Sequence, residues 1–75
     1  MTTMWVIARK SKKSPTGWTF FVNWTPLDGE DDEPELVPAT SWFVEEAAQM
    51  PRPMAERVAD RVRAFFPGYT TQRAP

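Results

Sequence analysis

Residues 18–25 read Trp18-Thr19-Phe20-Phe21-Val22-Asn23-Trp24-Thr25, and the fold turns on this stretch. Trp18, Phe20, Val22 and Trp24 alternate with Thr19, Asn23 and Thr25. Successive side chains of a strand point to opposite faces, so a period of two describes an antiparallel strand with one face on a core and the other in water. On that reading Phe21 is the exception, an aromatic on the wet face. Upstream, Met4-Trp5-Val6-Ile7-Ala8-Arg9-Lys10 is apolar and rich in strand formers. Ser11 to Gly17 supplies turn residues, so the two strands are predicted to form a hairpin.

Downstream, Pro26 to Pro38 carries acids, Gly29 and two prolines and offers almost nothing to bury, which predicts a flexible acidic loop at about 27–38. Ser41-Trp42-Phe43-Val44 favours a third strand near 40–44, with irregular structure up to Met50. A helix over 53–66 follows. Pro51 and Pro53 suit its first turn, and Pro67-Gly68 stops it. Met54, Val58, Val62 and Phe65 recur at spacings of four, four and three, with Ala55, Ala59 and Phe66 widening the stripe. Tyr69 to Arg73 returns as a last strand. The expected class is α+β: a small antiparallel sheet in the order β-β-β-α-β with one amphipathic helix packed on one face.

The chain has 75 residues, no cysteine and no histidine, and four Trp, five Phe and one Tyr. This length makes one domain, 1–75, which buries only about 60% of the surface its unfolded form exposes. Disulfides and thiolate or imidazole metal sites are excluded, and no side chain has an unperturbed pKa near neutrality. The remaining ways to stabilise so small a core are dense aromatic packing and self-association. No hydroxyl sits in a nucleophile elbow, and the three glycines are isolated, so no phosphate loop exists. The expectation is a non-enzymatic protein without cofactor or metal. No targeting or membrane-spanning segment is visible, and a cytosolic location is expected.

The net charge of −1 conceals three blocks. Residues 1–27 hold Arg9, Lys10, Lys12 and Lys13 and no acid. Residues 28–37 hold Asp28, Glu30, Asp31, Asp32, Glu33 and Glu35 and no base. Residues 38–75 are near balance. The acidic run lacks the ligand spacing of a calcium loop. Its plain reading is a solvated loop; its functional reading is an imitation of nucleic-acid phosphate that enters a basic groove on a partner. The four basic residues offer an alternative, a nucleic-acid contact, although net acidity disfavours direct binding. One short helix cannot cover ten aromatics, so Phe21 and Trp42 are expected as exposed apolar anchors, for a partner or for a homodimer.

Trp5-Val6-Ile7, Gly17-Trp18-Thr19-Phe20, Glu46-Ala47-Ala48, Ala55-Glu56-Arg57-Val58-Ala59 and Phe66-Pro67-Gly68-Tyr69 succeed one another in a layout that resembles very small phage and prophage proteins. The resemblance spans most of the chain and concerns packing, and the acidic insert lies outside it. Members of that class include anti-CRISPR proteins and inhibitors that bind host RNA polymerase. The resemblance therefore implies an inhibitor of a host nucleic-acid machine, an anti-CRISPR protein first and a transcription inhibitor next. The implied partner is a larger host protein or ribonucleoprotein complex.

Overall fold

A computed structural model describes residues 3–26 and 35–75. Strand β1 (Trp5–Lys10) and β2 (Trp18–Pro26) are followed by β3 (Leu36–Ser41), a short 3-10 turn (Val44–Glu46), helix α1 (Arg52–Phe65) and β4 (Thr70–Arg73). The strands form one antiparallel sheet in the order β3-β2-β1-β4. The α+β class and the order β-β-β-α-β are those expected. No described helix is long and apolar enough to cross a membrane.

The hairpin forks. β1 and β2 pair only at Ala8 with Phe20, Arg9 with Thr19 and Lys10 with Trp18. The turn between them is closed by Ser11 N–H donating to the carbonyl of Gly17 (2.9 Å), whose φ of +83° only glycine adopts without strain. Beyond Ala8 the strands separate, and residues 48–50 fill the gap. Ala48 N–H donates to the Phe21 carbonyl (3.0 Å), while Met50 and Trp5 exchange both backbone hydrogen bonds (3.0 and 2.8 Å). The inserted segment supplies the partners that the separated strands would otherwise lack, which a buried backbone requires.

The fork gives the sheet two covered faces. On one side Val6, Ala8 and Phe20 pack with Ala47, beneath Val44 and against Trp18. On the other, Ile7, Phe21, Met50 and Tyr69 pack with Ala55, Ala59 and Val62 of α1. Ala47 and Ala48 lie in different clusters, so the chain passes from one face to the other through the fork.

This overturns the expected orientation of β2. Phe21 is 3% exposed and faces the helix, whereas Trp18 and Phe20 lie on the opposite side. The pairing of β2 with β3 slips between Phe21 and Asn23. A bulge of this kind inserts one extra residue and reverses the parity of the strand beyond it. Trp24 thereby shares the face of Phe21, their rings 5.4 Å apart and edge-to-face. A simple alternation through Val22 does not describe the strand.

The remaining differences have local causes. β3 occupies 36–41 rather than 40–44, because Leu36 and Val37 pair with Pro26 and Thr25, while Trp42 and Phe43 lead into the 3-10 turn. Residues 36–38 therefore belong to a strand; the rest of the predicted acidic loop, 27–34, lies outside the described residues. In α1 the buried line is Ala55, Ala59 and Val62. Two small alanines bring the helix close to the sheet, and Met54 (55% exposed), Phe65 and Phe66 fall on its flanks. Beyond the helix Gly68 has φ +97°, and a β-carbon there would sit 3.1 Å from Arg9 Cδ. Arg9 donates to the Pro67 carbonyl (3.0 Å) and lies over the Tyr69 ring, while Arg63 donates to the Tyr69 carbonyl (2.9 Å). Two cations therefore hold the return from α1 into β4.

Val62→Asp should abolish folding, because an unpaired charge at a fully enclosed position costs several kcal/mol, as much as so small a domain has. Val58→Asp, on a partly exposed flank, should lower the melting temperature without unfolding the chain. Circular-dichroism melts of both variants check the order. A second expectation concerns pH. Burial pushes the Tyr69 phenol up, and Arg9 only partly offsets this. The folded chain then holds that proton more tightly than the unfolded one, whose phenol titrates near 10. The stabilisation is complete below about pH 10 and is lost as pH rises through the higher folded value. Melting temperatures measured across that range should fall less steeply in Tyr69→Phe.

Candidate functional site

At 100° per residue the two flanks of α1 differ in character. Glu56, Asp60 and Arg63 line the side toward β4, and Met54, Val58, Arg61 and Phe65 the side toward β2 and β3. On the second flank, Trp24, Leu36, Arg61 and Phe65 enclose a groove of about 180 Å³. The Trp24 and Phe65 rings meet edge-to-face at 6.0 Å. Leu36 is 53% exposed, so a large apolar side chain stands in water beside two aromatic ones. The floor of the groove is packed, because Trp24 rests on the Phe21 cluster and Phe65 rests on Trp24.

β2 ends at Pro26 and β3 starts at Leu36, so the acidic run is the connection between the two strand ends beside this groove. Asp28, Glu30, Asp31, Asp32 and Glu33 lie outside the described residues. Glu35, the sixth acid, is exposed next to Leu36. Trp42 lies elsewhere. It is 46% exposed, as expected, and stands with exposed Phe43 at the far end of β3, where its carbonyl accepts from Thr16 Oγ1 (2.5 Å). The six residues of β3 separate Glu35 from Trp42 by about 20 Å. Trp42 and Glu35 therefore do not form one patch, and Phe21, buried under α1, is a core residue rather than an anchor.

The basic residues are also divided. Arg9 turns to the helix face and is occupied by Tyr69 and Pro67. Lys10 turns to the other face, its ammonium 5.9 Å from the Trp18 ring centre. Lys12 and Lys13 are exposed in the turn between them. Lys10 and Lys12 share a shallow pocket with Ser11 and Gly17, so of the four positions expected as a nucleic-acid contact Arg9 stands apart and is already occupied.

Chemistry finds little to work with among the described residues. No three acidic side chains gather there in a way that would hold a metal ion. A larger, shallow cleft of about 430 Å³ between α1 and β4 is lined by Glu56, Asp60, Arg63, Thr70 and Thr71. Its acids are engaged, Glu56 with Arg52 (3.2 Å) and Asp60 with Arg63.

Sequence reasoning missed the groove because it assigned Met54 and Phe65 to the buried stripe and Leu36 to a loop. One signal was present: the apolar positions of α1 span more of the helix circumference than one sheet face covers. With Arg9 engaged internally and only three lysines left on a chain of net charge −1, no mobility shift is expected with single- or double-stranded DNA or RNA at micromolar protein and near-physiological salt. Salt-sensitive binding that disappears in Lys10→Ala/Lys12→Ala/Lys13→Ala is the contrary result. Searches of protein-family models, curated proteins and solved structures return no match to this chain.

Proposed function

We propose that this chain is a non-enzymatic protein-binding module that inhibits a larger host nucleic-acid machine by covering one of its working surfaces. The reading accords with the phage-type inhibitors that the sequence resembles, with an anti-CRISPR role first and transcription inhibition second. The observation that carries it is the groove of Trp24, Leu36, Arg61 and Phe65, an exposed and largely apolar site whose Trp24 is packed on the core. Its lining strands are joined by a segment holding six acids and no base between Asp28 and Glu35. Apolar anchors of this kind supply affinity, and a block of one charge steers association with a surface of the opposite sign. Basic surfaces that normally carry phosphate backbones have that sign.

The test uses purified CRISPR effector complexes and host RNA polymerase, with nucleic-acid binding and catalysis as readouts. Inhibition of one of them should weaken by about tenfold or more in Phe65→Ser, as expected for a binding hot spot. Replacing the six acids by Asn and Gln should slow association and flatten its salt dependence while leaving the melt unchanged. Inhibition with equal affinity and equal salt slope in both variants would remove the groove and the acids from the mechanism.

A further inference from the structure

The sheet has two edges, and they are not equivalent. β3 carries Pro38 at its centre, opposite Trp24. Proline lacks an N–H, and its presence on an edge strand is a common block to further pairing. β4 has no such block. Gln72 and Thr70 stand opposite Val6 and Ala8, and Ala74 N–H donates to the Met4 carbonyl (2.9 Å). In an antiparallel ladder, alternate residues bond to the same neighbour, so positions 70, 72 and 74 serve β1. Thr71 and Arg73 then turn their N–H and C=O groups outward, where no described backbone segment meets them. The Tyr69 carbonyl, next along the edge, is taken by Arg63.

We infer that a second copy of this chain adds across β4, antiparallel and about a two-fold axis, to give a continuous eight-stranded sheet. The register is set by the free groups. Thr71 of one copy faces Arg73 of the other and the reverse, Gln72 lies on the axis, and four backbone hydrogen bonds form. Charge supports this occupant. Thr71 and Arg73 stand opposite Ile7 and Trp5, and Ile7 packs beneath α1, so both share the helix side of the sheet. There the Arg73 side chain of the second copy comes down beside Thr71, in the cleft lined by Glu56, Asp60 and Arg63, where Arg52 and Arg63 bond only Oε1 of Glu56 and Oδ1 of Asp60 and leave each carboxylate a second oxygen to accept from it. The same contact occurs twice, as a two-fold interface requires. With strands about 4.8 Å apart and α1 lying over β1 and β4, the two helices run antiparallel roughly 10–15 Å apart, within reach of long charged side chains. The groove of Trp24, Leu36 and Phe65 lies on the other flank of α1 and stays open, so the dimer presents it twice.

Sedimentation of the full chain over a concentration series, with amide exchange on the same samples, tests the arrangement. The expected result is a dimer that dissociates on dilution, with the Thr71 and Arg73 amides protected in the dimer and exposed in the monomer. Thr71→Pro removes an outward donor only, so it should give a monomer with an unchanged far-UV spectrum. Should that variant misfold, Arg73→Glu reads the same contact: it should weaken self-association about tenfold, and Glu56→Lys/Asp60→Lys added to it should restore it. A monomer at every concentration would overturn the inference. So would a dimer indifferent to Thr71→Pro and Arg73→Glu, or an edge that becomes protected only on pairing with a strand of another protein.

Discussion

The structure depends on a backbone constraint: buried amides must be paired, and β1 and β2 pair with each other over only three positions, half of β1 and a third of β2. Where they separate, the segment leading to Met50 bonds to both. Without it, Trp5 and Phe21 would present open backbone at the centre of the sheet. With it, the chain crosses from one face to the other and starts α1 above Ile7 and Phe21. The helix position, the two clusters and the burial of Phe21 all result from that crossing.

Two covered faces are an economical solution for a chain without cysteines and hence without disulfides. Each cluster is small, and much of the packing is by alanine: Ala8 and Ala47 on one side, Ala55 and Ala59 on the other. Alanine loses no side-chain entropy on burial and allows close approach, so little volume encloses the large side chains of Phe20, Phe21 and Tyr69. The consequence is that bulkier residues such as Met54 are displaced to the flanks, and Leu36 and Phe65 remain partly in water beside Trp24. The groove is thus a by-product of how closely α1 sits on the sheet, with Trp24 packed on the core beneath it.

Charge is sorted by the same geometry. Arg9 and Arg63 are used internally, on Tyr69 and the turn after α1. Arg52 lies over the Trp5 ring and bonds Glu56. These cations cover aromatic faces and carbonyls at the rim of the core, contacts that gain from partial desolvation. The groove beside Trp24 remains exposed, and the acidic connection leaves from the strand ends that line it.

Much of this was legible in the residues. Period-two and period-three-to-four patterns, proline and glycine stops, and the order of elements determined the α+β class, the hairpin turn and the helix to within one residue at each end. Trp42 was read as exposed, and it is. Those features depend on local backbone preference and on neighbours a few positions away. The tertiary structure decided what depends on distant partners: which face of β2 is inward, where β3 begins, and which members of the helix stripe are covered. An alternating strand states that two faces exist but not which one a helix will choose, and one bulge near Val22 exchanges them. Phe21 became core because residues 47–50 thread a gap beside it and start α1 on its face, and Leu36 became part of a strand through its pairing with Pro26, neither of which a local pattern announces.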